Sequence, residues 1–166
     1  LRNSNDTGPA DMSFFLGNVD DVGVAGDWNG DGLDTTGVFR PSNGLLYLKN
    51  SNTTGFADAA LNYGLPGDYP VVGDWDGNGT ATIGIYRNGT FYLRNSNTIG
   101  FAEVVFPFGQ PGDQPIAGDW DGDGTDTTGV FRPINGIIFL KNSNTTGFAD
   151  IALNYGRSNL IGLNAR

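Results

Sequence analysis

Short runs of alternating apolar and polar side chains, each closed by glycine, asparagine or proline, recur along the whole chain. In the middle of the sequence Ala81 to Arg87 alternates with period two, and Asn88-Gly89 follows as the dipeptide favoured in a two-residue hairpin turn. Around that hairpin the pattern predicts four strands: Tyr69 to Trp75, Ala81 to Arg87, Thr90 to Asn95 and Glu103 to Phe108. The flanking copies carry Asn43-Gly44 and Asn135-Gly136 at the same place, each with a proline two residues earlier, and the same hairpin is expected there. No stretch shows helical periodicity.

The pattern is a repeat. Gly-Asp-Trp triplets begin at Gly26, Gly73 and Gly118, spacings of 47 and 45 residues. Their sum, 92, is a gapless register in which Leu1 to Gly64 aligns on Leu93 to Gly156 with 43 of 64 positions identical. Four antiparallel strands in each mid-forties repeat describe a β-propeller blade. The expected fold is all-β: a half blade at 1–21, blades at 22–68, 69–113 and 114–158, and a partial strand at 159–166. Leu1 to Asn5 matches a third strand, and Asn159 to Ala165 matches a worn first strand. Propellers need about four blades to close. Either the terminal strand completes the half blade, or an open arc is completed by a second chain or further sequence. The chain reads as a mature or excised piece of a longer product.

Composition narrows the class. Hydrophobic residues at 38 % and aromatics at 12 % exclude a disordered chain, and 27 glycines fit a turn-rich one. With 18 acids against 9 bases, a nucleic-acid footprint is not expected. Nine of those acids lie within the three loops that follow the triplets, so the negative charge is localised and suits a cation. No apolar run approaches the roughly 20 residues of a membrane span. The chain has no Cys and no His, and Glu103 is its single Glu, so the usual acid–base and nucleophilic pairs are nearly unavailable. Catalysis is not expected.

The loops carry the candidate chemistry. Asp27, Asn29 and Asp31 alternate before Gly32; Asp74, Asp76 and Asn78 before Gly79; and Asp119, Asp121 and Asp123 before Gly124. Oxygens at alternate positions of a curling backbone suit Ca²⁺, which takes six to eight, and the seventh position commonly adds a carbonyl. That position holds Leu33, Thr80 or Thr125. An EF-hand is excluded, since its twelfth position would be Val38, Ile85 or Val130 in place of Glu. Against the metal reading stands a plain tight turn with Asp capping backbone N–H groups.

These loops, with Phe108-Gly109 ahead of Gly118-Asp119, resemble the FG-GAP repeat of integrin-α-type propellers and their bacterial surface or secreted relatives. The resemblance covers essentially the whole chain. It implies that calcium binds in the loop between the first two strands of each blade, with Asp normally at the loop's ninth position. Here the ninth position is Thr35, Thr82 or Thr127, and an acid stands eighth at Asp34 and Asp126.

Trp28, Trp75 and Trp120 recur at the second loop position, as packing between blades or as stacking platforms for a glycan. Arg40, Arg87 and Arg132 recur as expected partners of nearby carboxylates. Asn5, Asn52 and Asn144 head glycosylation sequons at one shared repeat position. The expectation is a non-enzymatic, calcium-binding propeller module at the cell surface or outside the cell, working in adhesion or self-assembly. Its partner is another copy or another surface protein, without membrane insertion. The alternatives are a glycan-binding lectin and an accessory domain of a secreted enzyme.

Overall fold

The computed structural model describes residues 1–154, and the strand expected at 159–166 lies outside them. Among the described residues there are twelve strands and no helix. The first sheet holds β1 (Val22–Gly26), β2 (Thr35–Arg40), β3 (Leu45–Leu48) and β4 (Ala59–Asn62). The second holds β5 (Tyr69–Gly73), β6 (Thr82–Arg87), β7 (Thr90–Leu93) and β8 (Val104–Pro107). The third holds β9 (Gln114–Gly118), β10 (Thr127–Arg132), β11 (Ile137–Leu140) and β12 (Ile151–Asn154). Each is an antiparallel meander in chain order. The first strands lie side by side, β1 against β5 and β5 against β9.

Second strands are the most buried: all of β6 but Arg87 is buried, and all of β10 but Arg132. A glycine sits at the middle of each second strand. A Cβ on Gly84 would come within 2.6 Å of Leu93, so the missing side chain is the space the third-strand leucine fills. The cores therefore lie between sheets. One gathers Trp28, Phe39, Leu46 and Leu48 of the first sheet with Ala81 and Ile83 of the second. The other gathers Trp75, Tyr86, Phe91 and Phe106 of the second with Ala117 and Val130 of the third.

The hairpins differ from expectation in two of three copies. Arg87 pairs with Thr90 across Asn88-Gly89, both with positive φ (50° and 86°), which is the expected two-residue turn. Arg40 instead pairs with Leu45 across a four-residue loop, where Gly44 alone has positive φ (73°) and donates to the Arg40 carbonyl at 2.8 Å. Pro41 holds its φ near −65°, which starts an ordinary turn and leaves only the last position for a left-handed residue.

The N-terminal residues form no strand, although Leu1 to Asn5 matches a third one. Leu1 and Met12 nonetheless exchange two backbone hydrogen bonds, at 2.8 and 3.1 Å, in the register of the Leu93–Val104 pair. The Asn3 N–H donates to Asp11 as those of Asn50, Asn95 and Asn142 donate to Asp58, Glu103 and Asp150.

Between sheets the chain turns on an aspartate. Asp21, Asp68 and Asp113 each accept two hydrogen bonds from the guanidinium of Arg40, Arg87 or Arg132, at 2.7 to 2.9 Å. Each guanidinium also lies 4.6 to 5.1 Å from the centre of the Tyr47, Tyr92 or Phe139 ring. The recurrent arginines are thus paired with nearby carboxylates, as expected of them.

Candidate functional site

The antiparallel meander puts the first connection of every sheet at one end, and adjacent first strands bring the three acidic loops together. They line one cavity of about 630 Å³, whose walls include Asp27, Asp34, Asp74, Asp119, Asp126 and Trp120. Five carboxylates around one cavity make its potential negative, which attracts cations and repels anions.

Within each loop the first aspartate builds the turn. Asp27 accepts the N–H groups of Gly30, Asp31 and Gly32 at 2.8, 3.1 and 2.6 Å. Asp119 accepts those of Gly122, Asp123 and Gly124 at 2.7, 3.1 and 2.9 Å. Asp74 accepts those of Asn78 and Gly79. The fifth position repeats the device: Asp31, Asn78 and Asp123 accept the N–H groups of Leu33, Thr80 and Thr125. Asn29 bonds to Asp31 within the first loop. The capping role weighed against the metal reading is therefore real, and the loops hold their shape through protein donors.

Burial pushes the Asp27 carboxyl up, but its four backbone donors outweigh that and leave it below the ordinary carboxylate range. For Asp119 the Gly124 N–H is the largest cause of a lowered value, opposed by desolvation and aided by three further donors. A carboxylate whose pKa is depressed by folding stabilises the fold above its unfolded pKa, and that stability is lost as pH falls through the folded value. The urea midpoint is thus expected to hold from neutral pH down to about 5 and to fall below about 4. Asp119→Asn should remove part of that acid sensitivity; an unchanged pH profile would show that the cap is energetically silent.

Among the described residues, Asp119, Asp121 and Asp123 form the one group of three acids with ligand atoms within 4.8 Å of one another, all exposed. The first and second loops do not match it, since Asn29 and Asn78 replace one acid in each. The predicted ligand Asp126 has another duty. Asp126 accepts the Asp74 N–H at 2.8 Å, and its own N–H donates to the Asp74 carbonyl at 2.8 Å, so the eighth position ties one sheet to the previous one. Ala81 donates to the Asp27 carbonyl in the same way at 2.7 Å. At the ninth position Thr35, Thr82 and Thr127 are buried, and the hydroxyls of Thr82 and Thr127 donate to the Gly73 and Gly118 carbonyls. The Thr82 and Thr127 hydroxyls thus close the necks of their loops.

Two further expectations shift. Trp28 and Trp75 are each only 6 % exposed, wedged between sheets, so they are not available as sugar-stacking platforms; Trp120 is half-buried. The sequon position proves to be a staple. Asn52 donates its amide to the Asp34 carbonyl and accepts from the Thr36 N–H, and Asn144 donates to the Asp126 carbonyl. Asn97, at the same position, reaches the Trp28 and Ala81 carbonyls and so spans two sheets. Asn5 is exposed. The recurrence of Asn at that position was the available signal for this staple.

Compared with family models, curated proteins and solved structures, the chain matches none.

Proposed function

We propose that the chain is a non-catalytic β-propeller module of FG-GAP type, that its three sheets are consecutive blades, and that it works outside the cell by adhesion or assembly. The observation that carries the reading is the convergence of three acidic loops on one negative cavity, with Asp119, Asp121 and Asp123 gathered in the third loop. Those three carboxylates, with the Thr125 carbonyl, would hold calcium; the ion would supply positive charge where three acids repel one another. The third loop fits a hard cation best, because the others have an amide in place of an acid and Asp126 is committed to the Asp74 N–H.

Assembly gains support from the outward face of the third blade. Leu153 is 46 % exposed where its equivalents Leu61 and Phe106 are 7 % and 2 % exposed under the next sheet. Trp120, too, is only half-buried where Trp28 and Trp75 are covered. That face suits a further blade of the same design.

Chelator-stripped protein titrated with calcium tests the metal site of the third loop. Saturation at a hundred times Kd would add about 2.7 kcal/mol of stability, read as a raised thermal midpoint. The gain should vanish in Asp121→Asn/Asp123→Asn. A midpoint indifferent to calcium in both proteins would sink the calcium site.

A further inference from the structure

Three phenylalanines stand almost wholly in solvent at one repeat position: Phe56, Phe101 and Phe148 are 96, 95 and 96 % exposed, the highest values among the described large apolar residues. Each follows a glycine in the connection from third to fourth strand. Phe56 and Phe101 each stand at the edge of a groove that they help to line, of about 300 and 320 Å³. Val38, Tyr47 and Arg40 line one groove; Ile85, Tyr92 and Arg87 line the other. Both arginines are already neutralised by Asp21 and Asp68, so neither groove is held open by an unpaired charge on them, and the greater part of each lining is apolar. An apolar cavity of about 150 Å³ already holds a benzene ring. Either groove therefore admits a phenyl side chain.

We infer that the rim of this chain docks on the rim of a second copy, with the phenylalanines of each seated in the grooves of the other. The inference rests on the assembly reading and names its partner surface. Ring and groove are neighbours on the same surface, which is the condition for a self-complementary two-fold contact. The area also suffices. Four seated rings bury roughly 600–1,000 Å² at about 150–250 Å² each. Groove walls contribute about as much again, which reaches the roughly 1,200–2,000 Å² of a specific interface. Each copy carries a formal charge of −9, so screening by salt should tighten the contact.

Sedimentation velocity over a concentration series, at low and high sodium chloride, tests this on four proteins: the wild type, Phe56→Ser/Phe101→Ser/Phe148→Ser, Ala57→Arg/Ala102→Arg, which fills the grooves from two of their lining alanines, and Trp120→Arg on the end face. The expected result is a wild-type dimer that strengthens with salt, and dissociation constants at least about tenfold weaker in both rim variants. The thermal midpoint of the serine variant should stay unchanged, because its rings are in solvent. A serine variant that associates as well as the wild type, while Trp120→Arg does not, overturns the rim contact and leaves assembly through the end face standing. A wild type that remains monomeric throughout overturns both.

Discussion

Trp75→Ala is expected to cost about 3–5 kcal/mol of stability, whereas the same change at Trp120 should cost roughly 1 kcal/mol or less. The two residues occupy the same loop position and differ in what covers them. Trp75 is 6 % exposed and belongs to the cluster that joins the second sheet to Ala117 and Val130 of the third. Its ring lies so close over the backbone that a Cβ on Gly73 would meet it at 2.6 Å and meet the Asp126 Cβ at 2.8 Å. Deleting the indole there opens a cavity that two rigid sheets cannot fill by relaxing. Trp120 has no such sheet above it among the described residues. Trp28→Ala should resemble Trp75→Ala, since Trp28 packs against Ala81 and Ile83 of the next sheet. None of the three indole N–H groups has a hydrogen-bond partner, so Trp75→Phe should cost clearly less than Trp75→Ala. Urea unfolding of the four variants decides it. Equal losses at Trp75 and Trp120 would mean that the ring stabilises its own loop rather than the contact between sheets.

The strand pattern was legible because burial follows the pleat. Thr90 to Asn95 was expected and Thr90–Leu93 is formed; Tyr69 to Trp75 was expected and Tyr69–Gly73 is formed. Both strands end early for a local reason. Asp74 turns its carboxylate onto the N–H groups of Asn78 and Gly79, and the Asn95 N–H goes to Glu103, so neither residue continues a ladder. Asn43-Gly44 misled because the dipeptide alone does not set the turn: Pro41 lengthens the loop and leaves Asn43 outside the left-handed region.

The site was legible as far as single loops go. Alternate oxygens before a glycine mark a turn that can gather carboxylates, and the third loop does so. What the sequence did not reveal depends on neighbours 40 or more residues away. Asp126 reads as the displaced acid of its own loop, yet it accepts from Asp74, 52 residues earlier. Asn97 reads as a loop residue, yet it donates to the carbonyl of Trp28, 69 residues earlier. A repeat announces that equivalent groups exist; which of them face across sheets is fixed only when the sheets are stacked.

The aspartates that close each inter-sheet turn carry the second large effect. Asp113→Ala should cost about 3–5 kcal/mol, because it strips a buried ion pair of one partner. The Asp113 carboxylate is 3 % exposed, accepts from Arg132 at 2.9 and 2.8 Å, and also accepts the Gln110 N–H at 2.9 Å. Its loss leaves a guanidinium that is 20 % exposed facing the Phe139 ring without a counter-charge, and an amide without an acceptor. Arg132→Ala alone should be comparably severe, because it leaves the more deeply buried carboxylate unpaired. Removing both should cost less than the sum, and the coupling energy from that cycle isolates the pair from the turn it closes. A looser pair supplies the contrast: the buried Arg94 approaches Glu103 at only 3.5 Å, and the glutamate is 45 % exposed, so solvent screens the contact and it should be worth about 1 kcal/mol or less. If Asp113→Ala destabilised no more than Glu103→Ala, the turn would be held by its proline and glycines alone, and the recurrence of an Asp–Arg pair at all three sheets would have no energetic basis.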